Sequence, residues 1–171
     1  MTPIPEPIVA LVATAAARRP LGADAPTHAF THRPGAAATP HYHNTNERLG
    51  IDFGVTKLAF PDMQTMDPRV VRIAPGKCNE YHKHAHESLF VVLDGEGEVL
   101  VGTAWNKVKK GDIAFVPRWI FHQSRNTSAS DELVILAVTD FGFTRAVLGD
   151  YDKRTRLAAD GEDVRLSATP A

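Results

Sequence analysis

The chain has 171 residues, with 19 Lys and Arg against 20 Asp and Glu and a formal net charge of −1. That length suits one domain with a real core, and the balanced charge argues against a protein built to neutralise phosphates, so no nucleic-acid partner is expected. A single cysteine, Cys78, excludes an internal disulfide and fits a reducing, cytoplasmic setting.

Residues 5 to 19 read as a short amphipathic helix. A proline suits its first turn, alanines fill its middle, Arg18 and Arg19 sit at its negative end, and Pro20 stops it. Glu6 precedes the apolar stretch and the arginines follow it, which reverses the polarity of a secretory signal. The stretch is also too short to span a bilayer. Residues 20 to 48 are rich in Pro, Ala, Gly, Thr and His without steady periodicity, and read as an extended arm.

From residue 50 the character changes. "IDFGVTKLAF", "RVVRIAP", "SLFVVLDG", "GEVLVGTAW", "NKVKKGDIAFVP" and "ELVILAVTDFG" are short β-rich runs. Turn signals separate them, among them Pro75-Gly76, Asp94-Gly95 and Lys110-Gly111-Asp112. Short strands at such spacing predict an all-β antiparallel sandwich or barrel. The expected organisation is an N-terminal helix and arm (1–48), a barrel (49–145) and a polar tail (146–171).

Three histidines, His82, His84 and His86, stand two residues apart in "EYHKHAHES". In a strand, residues i and i+2 face the same way about 7 Å apart. His82 and His84 can therefore converge on one ion, which binds imidazole nitrogen at about 2.0–2.2 Å. The third ligand has to come from another strand, and His122 in "PRWIFHQSRN" is the candidate.

These segments resemble the two cupin motifs. "PGKCNEYHKHAHESLFVVLDG" is similar to G-x5-H-x-H-x3-E-x6-G, with Gly76, His82, His84 and Gly95 in place. "GDIAFVPRWIFHQSRN" is similar to G-x5-P-x-G-x2-H-x3-N, with Gly111, Pro117, His122 and Asn126 in place and Trp119 where the motif has glycine. The resemblance implies a double-stranded β-helix, often dimeric, with one metal inside. Ser88 falls where the family usually carries a glutamate ligand. The expected ligand set is His82, His84 and His122, with two local substitutes left open: Glu87, if a bulge shifts the register, and His86, if it does not point to solvent from a bend at 85–87.

Three neutral ligands leave a divalent ion with its full charge, which favours anionic chelating substrates. Three-histidine centres resemble those of cupin dioxygenases that use ferrous iron and O2. The expected function is thus an Fe(II)-dependent dioxygenase acting on a small thiol, diketone or hydroxylated aromatic acid. Zinc, manganese, nickel or copper would also suit the ligands. Glu80 is the candidate to orient an imidazole, and Arg118 and Arg125, flanking His122, are candidates to clamp a substrate carboxylate. Cys78 reads as packed core. A second His-x-His, His41 and His43, lies in the arm without a strand signal or a matching downstream motif, though the arm could bring Tyr42 or His43 over the barrel mouth. Rival readings are a non-redox isomerase, lyase or decarboxylase, and a barrel that binds a small ligand without catalysis. A homodimer is expected.

Overall fold

The computed structural model describes residues 6, 9–10, 31–32, 39–61, 63–148 and 156–158. The helix expected over residues 5 to 19 lies almost wholly outside them; Glu6, Val9 and Ala10 are helical.

Among the described residues eleven strands run in chain order: β1 (Thr39–Asn46), β2 (Ile51–Lys57), β3 (Asp67–Ile73), β4 (His82–His84), β5 (Ser88–Asp94), β6 (Glu96–Val101), β7 (Ala104–Lys109), β8 (Ile113–Val116), β9 (His122–Asn126), β10 (Leu133–Thr139) and β11 (Arg156–Ala158). They form two antiparallel sheets, ordered β1-β2-β3-β10-β5-β8 and β11-β4-β9-β6-β7. This is the expected double-sheet barrel. Each strand's alternation decides its inner face: in β2, Ile51, Phe53 and Val55 are buried while Asp52, Gly54 and Thr56 are only partly so. One apolar cluster takes Phe53, Ile73, Phe90 and Ile135 from the first sheet and Val99 and Val108 from the second.

Two differences from the sequence reading matter for the site. First, residues read as arm form β1, paired with β2 along its length. Its inward residues are Tyr42 and Asn44 rather than aliphatics, so no apolar alternation announces it. Second, the described helix of full length, α1 (Phe141–Leu148), follows the barrel instead of preceding it. Gly142 seats α1 against the chain, because a Cβ there would lie 1.9 Å from the Gln64 carbonyl oxygen.

The motif residues that bind nothing hold the frame. Gly95 turns the β5–β6 hairpin at φ +77°, and a Cβ there would meet the Glu132 oxygen at 2.2 Å. The buried Asn126 amide donates to the Ile73 and Asp131 carbonyls at 2.9 and 2.8 Å, tying β9 to β3 and to the loop before β10. Among the described residues no helix is long and apolar enough to cross a membrane.

Candidate metal centre

The pairing of β4 with β9 sets His82 directly opposite His122. His84 follows two residues along β4, on the same face. All three are buried, and one nitrogen of each lies within 4.8 Å of the others.

The hydrogen bonds decide which nitrogen. His82 Nδ1 donates to the Glu80 carbonyl at 2.9 Å, His84 Nδ1 to the His86 carbonyl at 2.9 Å, and His122 Nδ1 to the Ile120 carbonyl at 3.0 Å. A carbonyl oxygen only accepts, so each Nδ1 carries the proton and each Nε2 keeps its lone pair. Three rings fixed as the same tautomer, each braced by main chain two residues away, form a preorganised donor set for a divalent ion. The donors are borderline in softness and suit iron, zinc, nickel or copper.

His86 is buried rather than turned to solvent. The bend at residues 85–87 folds its ring flat onto His84, with centroids 3.5 Å apart and 13° between planes. An imidazole binds metal in its own plane, and parallel rings at that offset point past one another. His86 is therefore a wall of the centre. Glu87 is exposed, its amide donating to Asp140 and its carboxylate near Arg118. Ser88 is buried in the pocket, and its hydroxyl has no hydrogen-bond partner.

The other expected residues fall in three different places. Glu80 lines the pocket: its carbonyl braces His82 and its carboxylate accepts from Asn44 Nδ2 at 3.0 Å. Arg118 donates to the Ala85 carbonyl at 2.8 Å and pairs with Asp140 and Glu87, so it clasps the bend after β4. Arg125 lies on the outer face of β9, paired with Glu98 and stacked 4.0 Å over Trp105. Tyr42 lines the pocket and packs edge-on against Phe53, whereas His43 is exposed and bound to Asp52. Cys78 is half-buried; burial, then the Glu80 charge, push its thiol up, so it stays protonated.

Sequence reasoning missed Asn44, Asp140 and Arg69. Arg69 enters the pocket from β3. In "RVVRI" the two arginines are three apart and so face opposite ways, and nothing local says which is inward.

A two-sheet antiparallel barrel with three convergent, tautomer-locked imidazoles defines a β-barrel protein with a candidate metal site. Residues 69–139 match the cupin domain family, so this part of the chain is a cupin domain. The chain is 25% identical over 135 residues to the 1-hydroxy-2-naphthoate 1,2-dioxygenase of Nocardioides sp. strain KP7, covering 79% of this chain and 32% of that protein. Among solved structures, a cupin-2 domain protein from Rhodospirillum rubrum superposes with a TM-score of 0.58 at 20% identity, covering 84% of this chain and 85% of that one. The salicylate 1,2-dioxygenase of Pseudaminobacter salicylatoxidans gives 0.57 at 16% identity, covering 64% and 31%. The chain thus spans about a third of each of the two dioxygenases.

Proposed function

We propose that the protein is a metal-dependent dioxygenase that holds ferrous iron on His82, His84 and His122 and acts on a small anionic chelating substrate. The observation that carries this reading is the common tautomer of the three rings, each Nδ1 bound to a main-chain carbonyl. The relatives with dioxygenase names lend support at the level of the barrel.

Iron, when bound, would supply redox chemistry with O2 and a double positive charge, with no carboxylate among the three residues that would hold it. The chain's own part is orientation and exclusion. Main-chain carbonyls keep the imidazoles in register. His86 and Phe90 wall the centre, and Ser88 leaves room where a glutamate would reach in. The Asn44–Glu80 pair seals the side toward β1. The lone half-buried thiol of Cys78 fits work in the cytoplasm.

A second copy of the chain is the proposed partner. β8 is an edge strand among the described residues, and Ile113 and Phe115 on its outer face are 65% and 53% exposed. Leu89 and Leu93 continue the apolar face on β5. An unpaired edge beside an apolar face can pair with its own copy about a two-fold axis.

The test is elemental analysis of untagged protein, then O2 uptake after anaerobic ferrous loading, against thiols, diketones and hydroxylated aromatic acids. Equimolar iron and substrate-dependent uptake, both lost in His122→Ala, are expected. Bound zinc, manganese or nickel with no uptake on any substrate would instead favour isomerase, lyase or decarboxylase chemistry.

A further inference from the structure

The three histidines are braced alike, but the braces are not anchored alike. The acceptors for His82 and His122, the carbonyls of Glu80 and Ile120, precede their histidines by two residues. Both stand in stretches tied into the second sheet. The Asn79 amide donates to the Ser124 carbonyl at 3.1 Å, the Asn79 side chain accepts from the Ser124 amide at 2.7 Å, and the Gly102 amide donates to the Phe121 carbonyl at 2.8 Å. The acceptor for His84 is the carbonyl of His86, two residues after it. It sits on the crossover at 85–87, where the chain leaves β4 in one sheet for β5 in the other. Among the described residues no strand pairing reaches those three positions.

Two other connections hold the crossover. Arg118 stands between β8 and β9, again a passage from one sheet to the other, and Asp140 stands between β10 and α1. Arg118 Nη1 donates to the Ala85 carbonyl at 2.8 Å. Asp140 accepts from the Glu87 amide at 2.9 Å, and its own amide donates to the Glu87 carbonyl at 3.4 Å. The Arg118 and Asp140 side chains pair with each other. His86 is thus gripped through both of its neighbours. The Phe141 ring at the start of α1 meets its imidazole edge-on, with centroids 5.9 Å apart. Asp140 is fixed in turn by α1, whose Phe143 and Thr144 amides donate to its carbonyl at 3.0 and 3.1 Å.

A neutral imidazole carries one N–H, and a buried donor goes where an acceptor waits. While the His86 carbonyl faces Nδ1, the proton stays there and the Nε2 lone pair is left for an ion. A turned crossover takes the acceptor away, and a proton that moves to Nε2 closes that nitrogen. We propose that Arg118 and Asp140 are positioning residues for the metal centre: their clasp keeps the His86 carbonyl on His84 Nδ1, so that His84 is the ring of the three whose tautomer depends on the seat of α1. This rests on the three-histidine reading above and adds the control of one of its donors.

The first measurement needs no metal. Full-length protein labelled with nitrogen-15 histidine reports the tautomer of each ring by magnetic resonance at about pH 8.5, where imidazoles are neutral. Wild type is expected to show the Nδ1–H form at His82, His84 and His122. Arg118→Met and Asp140→Ala are each expected to shift His84 to a mixture of the two forms and to leave His82 and His122 as they were. Arg118→Lys, which can still bridge Ala85 and Asp140, is expected to restore most of the wild-type pattern. Arg125→Met breaks an ion pair on the outer face of β9 and is expected to move none of the three. A His84 signal unmoved in both clasp variants overturns the proposal. An equal shift of all three rings, or loss of the fold in both variants, also overturns it, since the pair would then hold the barrel rather than one ring. The second measurement is cobalt affinity of the same proteins. The Kd is expected to rise about tenfold or more in Arg118→Met and Asp140→Ala, the worth of a group that orients a ligand, and to stay at the wild-type value in Arg125→Met. Unchanged affinity in the clasp variants overturns the proposal. If the wild type takes up no cobalt, the metal reading falls, and the tautomers alone decide the clasp.

Discussion

The His86 ring lies flat against the His84 ring at 3.5 Å, while the His86 carbonyl accepts the His84 Nδ1 proton at 2.9 Å. One residue therefore fixes its neighbour twice, through side chain and main chain. His86→Phe keeps a flat ring and the carbonyl, so it is expected to keep equimolar metal with affinity reduced at most about tenfold, the lower end of what supporting groups are worth. His84→Ala is expected to lose the metal. Elemental analysis after dialysis checks both; equal loss in the two variants would make His86 a ligand.

Asp67 gives a pH dependence whose sign can be worked out. Burial acts to raise its pKa, but the hydrogen bond and charge of Arg69, and then Lys57, outweigh it and hold the carboxyl below its ordinary 3.8. A lowered folded-state pKa stabilises the fold at pH above the unfolded value, and that contribution is lost as pH falls through the folded value. Urea midpoints are expected to hold down to about pH 4 and to fall below it. In Arg69→Met, burial meets less opposition, the folded value moves back toward the unfolded one, and the fall in midpoint below pH 4 becomes shallower. Superimposable profiles would show that the pair contributes nothing.

Trp119 is the one described non-glycine residue with positive φ, at 58°, and its amide donates to the His84 carbonyl at 2.7 Å. The left-handed region costs such a residue about 1–2 kcal/mol. Trp119→Gly and Trp119→Ala both delete the indole, but only glycine relieves the backbone. The glycine variant is expected to be the more stable of the two by about 1 kcal/mol in urea unfolding.

Phe115→Lys puts a charge in the centre of the exposed β5–β8 face. If that face joins two copies, light scattering will show a dimer for wild type and a monomer for the variant, with the barrel's circular dichroism unchanged. A monomeric wild type would remove the second copy as partner.

Much of this molecule is written locally. The three histidines, the turn at Gly95 and the apolar alternation of β2, β5 and β10 each declare themselves within a few residues. What sequence does not show is set by partners far along the chain. Arg118 and Arg125 look equivalent beside His122, yet Asp140 and Glu98 claim them. Strand β1 was hidden because Asn44 is satisfied by Glu80, 36 residues away, and needs no aliphatic pattern to be buried. Arg69 was hidden because a strand's inward face is fixed by register, which Ala137 and Phe90 supply.

The clasp made by Arg118 also sets an order of assembly. It joins the Ala85 carbonyl to Asp140, and Asp140 in turn holds the Glu87 amide at 2.9 Å. All three histidines are synthesised before residue 123, but the bend that supplies the His84 acceptor is pinned only when residue 140 arrives. A chain still leaving the ribosome thus carries three imidazoles without the frame that aligns them. If the three imidazoles hold an ion as proposed, its capture has to wait for residue 140, and a chain truncated before Asp140 carries the imidazoles without the contact that pins their frame.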